Sequence, residues 1–474
     1  MRHRLWQAVL TDRQMLQKID TINNRIYNIW DSSKDFYRRS ITMKKILGLV
    51  LTLALVLSAA AATADLTAIN GTDERNITIN KAGLNPPAEE MIALGISPTT
   101  GRKLDQVSYE EGFTGTAITK KYQPVMVQIS NHKGGVETNS RGEPSTAPIN
   151  MQYADVVYEA LQARNAEGGT LTRFSAVFSD VIPYYAGPVR SARLTHIHLR
   201  QEWNCAFCTS GYATGYIPDE LEALGVKKPN NATEEDPGLL YVYDLPRAAW
   251  KDYLKRTGKE ANTEVFELAN IMRNVYPKYE EMDPSSEEYA QNAPYNHTFK
   301  FADEAPETDD SAEHIEVTFS GGIQAVSDKI QTDSILEYDD STNSYLRYVT
   351  NGKDRPIPYR VQKLINPTNN KMDSTMLDVE GREYGEQISF TNVIIQSITM
   401  KWRGYEQPDP DLTGTGNADY FMGGKHYSGV WEREDINSRT VFYGADGNEI
   451  TLLPGKTLII LMDYSIYGCS VAYE

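Results

Sequence analysis

The 474-residue chain carries 47 Lys/Arg against 64 Asp/Glu, a formal net charge of −17. So acidic a surface repels phosphate backbones and anionic lipid, which excludes nucleic-acid binding and non-specific adhesion to such membranes. Three cysteines are too few for a disulfide-stapled scaffold, and seven scattered histidines without an H-E-x-x-H motif or EF-hand loop point to no metal site.

At the start of the chain, Met43-Lys44-Lys45 precedes the uncharged apolar run Ile46 to Leu57 and the small residues Ser58 to Ala64. This order of basic, apolar and small residues, with an A-x-A site at Ala62-Thr63-Ala64, is that of a secretory signal peptide. The run of 12 residues falls short of the roughly 20 that span a bilayer, so contact with the membrane is expected only through an uncleaved signal segment. The 42 residues before Met43 contain no export logic and read as upstream sequence ahead of the true start; the rival reading is a cytoplasmic tail ahead of a signal anchor. Beyond Ala64 the balance is 37 Lys/Arg to 60 Asp/Glu, or −23. The mature protein is therefore expected outside the cytoplasm, secreted or associated with the cell envelope.

Residues 65–120 lack periodicity and read as an extended lead-in. From 121 to 300, apolar strand patterns (124–130, 172–179, 204–210) alternate with helical ones, while 154–162 fits either a short helix or a strand. Helices are expected after Gly187-Pro188, at Pro218 to Leu224, at Arg247 to Lys255 and at Thr263 to Val275. That alternation predicts an α/β domain. The acidic, proline-containing stretch 301–314 reads as a linker. Beyond it, strand-like runs separated by turn signals such as Gly423-Gly424 and Asp446-Gly447 predict a mainly antiparallel β domain over 315–474. The fold class is thus mixed α+β, with the α/β part first.

An ordered series of segments resembles one known family: SPTTG (97–101), VMVQISNH (125–132), ADVVYEAL (154–161), TRFSAVF (172–178), GPVRSAR (187–193), APYN (293–296), YDDSTNSYLR (338–347), TNVIIQ (391–396), GVWER and SRTVFYGADGNEITLLPGKTLI. Together they are similar to the YerB-like family of bacterial envelope proteins over roughly 97–465. The resemblance implies a secreted or lipid-anchored protein of two domains with no assigned molecular function. The chain departs from the family pattern in three places: no lipobox cysteine follows the apolar run, Tyr295 stands where a histidine usually precedes Asn296, and the Gly168–Thr172 turn is one residue longer.

The sequence identifies no catalytic residue and implies no cofactor. Cys205-Ala206-Phe207-Cys208 has redox spacing but lies in an apolar stretch, which suits structural thiols. Arg190 and Arg193 are expected in the first turn of the helix after Pro188, where the dipole is already positive. They therefore need an anion there, either a ligand or internal carboxylates of Asp155 or Glu159. Asn131 and His132 follow a strand, Glu159 and Arg173 flank the 167–170 loop, and Asn296 precedes the linker; together with the arginines they form the candidate ligand-binding set. Three functions stay open: binding of an envelope partner or anionic wall-derived ligand, hydrolysis of wall glycan or peptide by a carboxylate acid/base, and a purely structural interaction role. The export reading predicts that the intact mass of the secreted product corresponds to a chain starting at Asp65, and a retained 43–64 segment would refute cleavage.

Overall fold

The structure, a computed structural model, describes residues 66–131, 148–164, 170–209, 216–224, 240–241, 266–268, 297–319, 333–349, 356–362, 384–403 and 408–474. The upstream segment, the signal segment, the Arg247–Lys255 helix, His132 and Asn296 lie outside these residues.

The run Thr457–Met462 (TLIILM) is buried throughout, and a strand with no polar face must be covered on both sides. It forms the centre of a ten-stranded mixed sheet. In chain order its strands are β1 Val125–Ser130, β2 Val156–Arg164, β3 Thr170–Phe178, β4 Ala206–Cys208, β5 Leu240–Tyr241, β6 Asn392–Ser397, β7 Gly414–Met422, β8 Lys425–Arg433, β9 Val441–Gly444 and β10 Thr457–Met462. Their spatial order is β9-β8-β7-β6-β10-β2-β3-β1-β4-β5. β10 runs parallel to both β6 and β2, pairing Ile459 with Ile394 and Tyr158, while β7, β8 and β9 continue antiparallel from β6. The β7–β8 turn is Gly423-Gly424, with φ of +60° and +69°. A two-residue hairpin turn of this hand needs positive φ at both positions, which glycine supplies at no steric cost. The predicted turn at Asp446-Gly447 also forms, closed by a bridge between Tyr443 and Glu449.

A seven-stranded antiparallel sheet, which includes His314–Thr318, Ser334–Asp339 and Ser344–Val349, contributes to the same apolar core as the large sheet. The C-terminal half is mainly β, as expected. The N-terminal half is richer in strand than its α/β prediction: 154–162 resolves as strand β2, and Phe266–Glu267, inside a predicted helix, pairs with Tyr185–Ala186. Helices Leu194–Trp203 and Tyr216–Ala223 are present.

The boundary between 121–300 and 315–474 is one of sequence, because a single sheet runs continuously across it. The acidic stretch 301–314 is bound along the surface: Ala302 N–H donates to the Leu452 carbonyl, Ala312 N–H to that of Gly424, and His426 N–H to that of Asp310.

Glu202, at the end of helix Leu194–Trp203, ties this assembly together. Its carboxylate accepts from His297 Nε2 (2.7 Å) and Thr440 N (3.0 Å) and faces Arg433 Nη1 at 3.3 Å. Trp203 stacks on His297 at 4.1 Å between ring centres. Burial alone would raise the Glu202 pKa, but Arg433 and His297 bring it to about 2. A carboxyl pKa lowered on folding contributes stability that is complete above the unfolded value of about 4.3 and is lost as pH falls toward 2. Urea titration should show roughly 3 kcal/mol of stability disappearing over that interval, and the loss should be absent in Glu202→Gln.

Candidate functional site

Side chains alternate between sheet faces along a strand, and this divides the predicted binding residues. Glu159 lies opposite Phe174, and Ala160 lies opposite Arg173, which in turn pairs with Ser130. Glu159, Thr172 and Phe174 therefore share the face that meets Arg347 of strand Ser344–Val349, whereas Gln128, Ser130, Arg173 and Ser175 share the face of helix Leu194–Trp203.

On the first face, Glu159 Oε1 accepts from Asn131 Nδ2 (2.9 Å) and Thr172 Oγ1 (2.8 Å), and both carboxylate oxygens lie 3.2 Å from Arg347 Nη2. Arg347 is fully buried, its guanidinium 5.1 Å from the Phe174 ring centre and 4.4 Å from that of Tyr359. Burial raises the Glu159 pKa, and Arg347 acts against that rise. The structure thus places Asn131 and Glu159 in an internal network. The cation facing Glu159 is Arg347, neither Arg173 across the hairpin nor Arg190 or Arg193, so Glu159 is not the internal carboxylate expected beside the arginine pair.

The second face corrects the predicted position of the arginines. The helix begins at Leu194, with Arg193 as its N-cap and Arg190 ahead of it. Residues 188–190 run extended instead of helical because β4 covers β1 only up to Val127 and leaves the edge beyond it open. That edge is filled when Ser130 N–H donates to the Pro188 carbonyl and Arg190 N–H to the Gln128 carbonyl. Arg173 Nη1 donates to the Ser191 carbonyl, and Arg193 Nη1 donates to the same oxygen at 3.4 Å and to the Ala192 carbonyl at 3.1 Å. His196 Nδ1 accepts from Arg193 N–H at 3.0 Å. Burial, then the charges of Arg173 and Arg193, hold His196 well below its ordinary pKa. Arg173 is buried, while Arg190, Ser191 and Arg193 are half-buried.

Asp155, considered above as a partner for the arginines, belongs elsewhere. Its Oδ2 accepts from Thr99 Oγ1 (2.9 Å), Ser179 N (2.9 Å) and Asp180 N (2.7 Å), while Asp180 accepts from Ser97 Oγ (2.6 Å) and Thr100 Oγ1 (2.5 Å). The SPTTG segment thus clamps two buried carboxyls. Burial raises both pKa values, that of Asp155 well above its ordinary range with repulsion from Asp180 added. Burial likewise pushes the Cys205 thiol up to about 12 and the Cys208 thiol higher still, consistent with structural and unreactive cysteines. Among the described residues there is no cluster of three or more His, Cys, Asp or Glu that could hold a metal.

A mixed sheet shared by two sequence regions and tied by buried ion pairs defines a protein of two family domains folded as one body. Residues 113–267 match the N-terminal domain, and 325–459 the C-terminal domain, of "Protein of unknown function (DUF3048)". The chain belongs to this YerB-like family. It is 26% identical over 204 residues to "Putative lipoprotein YerB" of Bacillus subtilis (strain 168), a match covering 42% of this chain and 52%, about half, of that relative. The crystal structure of the YerB protein from Bacillus subtilis aligns with a TM-score of 0.48 and 17% identity, covering 79% of this chain and 99% of that one.

Arg347 was not among the sequence candidates, since nothing in YDDSTNSYLR marks one residue as buried. Removing one partner of a buried pair strands the other charge, so Arg347→Met should cost about 3–5 kcal/mol in urea unfolding. Combining it with Glu159→Gln should recover part of that loss, and strictly additive losses would show that the two groups are not coupled.

Proposed function

We propose that this is an exported cell-envelope protein that binds an anionic ligand, a wall fragment or a carboxylate of an envelope partner, on the helix-side face of its N-terminal half. The observation that carries this reading is the convergence of Arg173 and Arg193 on the Ser191 carbonyl, at a rim where Ser191 and Arg193 are half-exposed. Arg173 and Arg193 thus bring two guanidiniums to one carbonyl oxygen, with Arg190 three residues ahead of Arg193. Their planar donors suit carboxylate or phosphate oxygens, and the N-terminus of helix Leu194–Trp203 adds its dipole in the same place. Neutral His196 leaves this arrangement unchanged near pH 7. Export is supported by the signal-like segment 43–64 and by the name of the Bacillus subtilis relative, a lipoprotein.

Calorimetric titration with muropeptides and with citrate tests this reading. Arg173→Ala and Arg193→Ala should each weaken binding about tenfold or more, and added salt should weaken it in the parent. Unchanged affinity in both variants, with the circular dichroism spectrum intact, would leave a purely structural role for the cluster.

A further inference from the structure

A second concave region lies far along the sheet from the arginine cluster. The lead-in segment 71–79 lies over the large sheet and bounds a cavity of about 600 Å³ with the carboxyl ends of β6 and β10, the start of β7 and the latter part of β8. Parallel strands leave such crevices beyond their carboxyl ends, and this volume lies within the roughly 300–1,000 Å³ of ligand pockets.

The outer wall is fixed in place. Arg75 donates to the Ala418 and Gly429 carbonyls and to both oxygens of Asp419 at 2.9 and 3.0 Å, and Asn417 Nδ2 holds the Gly71 carbonyl at 3.0 Å. The aromatic walls depend on two glycines. A Cβ at Gly71 would lie 2.0 Å from Tyr464 Cε2, and one at Gly416 would lie 2.5 Å from Trp431 Nε1. The indole is further oriented by its bond to the Ser397 carbonyl at 2.8 Å.

The chemistry of the lining selects among ligands. Arg75 is committed to Asp419 and the two carbonyls, so the cavity offers no open arginine to an anion. Of its four carboxylates, Asp463 accepts from Met400 N, Ser465 N and Ser465 Oγ, Asp411 accepts from Thr413 N and Oγ1, and Asp73 and Glu74 stand exposed at the rim. Two hydroxyls, Ser397 Oγ and Tyr464 Oη, are buried without a hydrogen-bond partner among the described residues. Leaving such a group unpaired costs about 1–3 kcal/mol, which a polar ligand would relieve. The partly exposed Tyr464 ring, backed by the buried Trp431 and set beside these hydroxyls and the exposed Thr72, Thr399 and Thr415, suits a molecule with both an apolar C–H face and a fringe of O–H groups, which is the surface of a pyranose.

We propose that this cavity is a binding site for a neutral saccharide of about disaccharide size, separate from the anion-binding face. Calorimetry on the whole exported protein with N,N′-diacetylchitobiose should give a saturable isotherm that saturation with citrate leaves unchanged. Tyr464→Phe should weaken binding about tenfold, and Thr415→Trp, which places a ring at the exposed rim, should abolish it while the circular dichroism spectrum is retained. Absence of saccharide binding, tighter binding of trilysine, or an isotherm indifferent to Thr415→Trp would each overturn the assignment. The citrate and muropeptide titrations of the arginine variants report on the other face independently.

Discussion

Strand Thr457–Met462 is paired on both edges, along its whole length to Asn392–Ser397 on one side and as far as Leu461 to residues 156–160 on the other. An apolar parallel strand is stable only when both its hydrogen-bonding edges and both its faces are covered, so this run forces segments about 300 residues apart in the chain into one plane. The rest of the fold depends on that meeting. The hairpins β2–β3 and β7–β8 extend the sheet in opposite directions from it, and the smaller sheet helps to form the apolar core beside it.

The interior is also cross-linked by ion pairs and by hydrogen bonds to carboxylates. Glu159 meets Arg347, Glu202 meets Arg433 and His297, and Asp419 meets Arg75 and His426. Every one of these ties, except that between Asp419 and His426, joins residues from distant parts of the chain. Buried charges are costly unless paired, and each pair is satisfied only when both segments are correctly placed. The acidic clamp of Asp155 and Asp180 works differently: its hydrogen bonds come from hydroxyls and backbone N–H groups, and burial holds its carboxyls toward the neutral form.

Two surfaces of opposite character result. On the reading proposed above, Arg173 and Arg193 hold an anion next to a helix N-terminus, whereas the cavity under residues 71–79 is lined by hydroxyls, aromatic rings and carboxylates. A protein carrying both suits a heteropolymer with neutral and anionic parts. That pairing of surfaces connects the fold to the envelope role proposed above.

The sequence by itself determined what is local. The period of the apolar residues predicted most strands of the β-rich half, the Gly-Gly and Asp-Gly turns were legible from their chemistry, and the ordered motifs pointed to the family. Tertiary structure decided the rest. Whether 154–162 becomes strand was settled by the edges of β3 and β10, and residues 188–190 stayed extended because β1 had an open edge for them to fill. The five described candidates spread over two faces because strand alternation sends Glu159 one way and Arg173 the other. Arg347, the cation that Glu159 meets, lies 188 positions further along the chain. No spacing rule reaches that far: such a pair is set by which strands become neighbours, and that depends on covering the apolar strand at the centre.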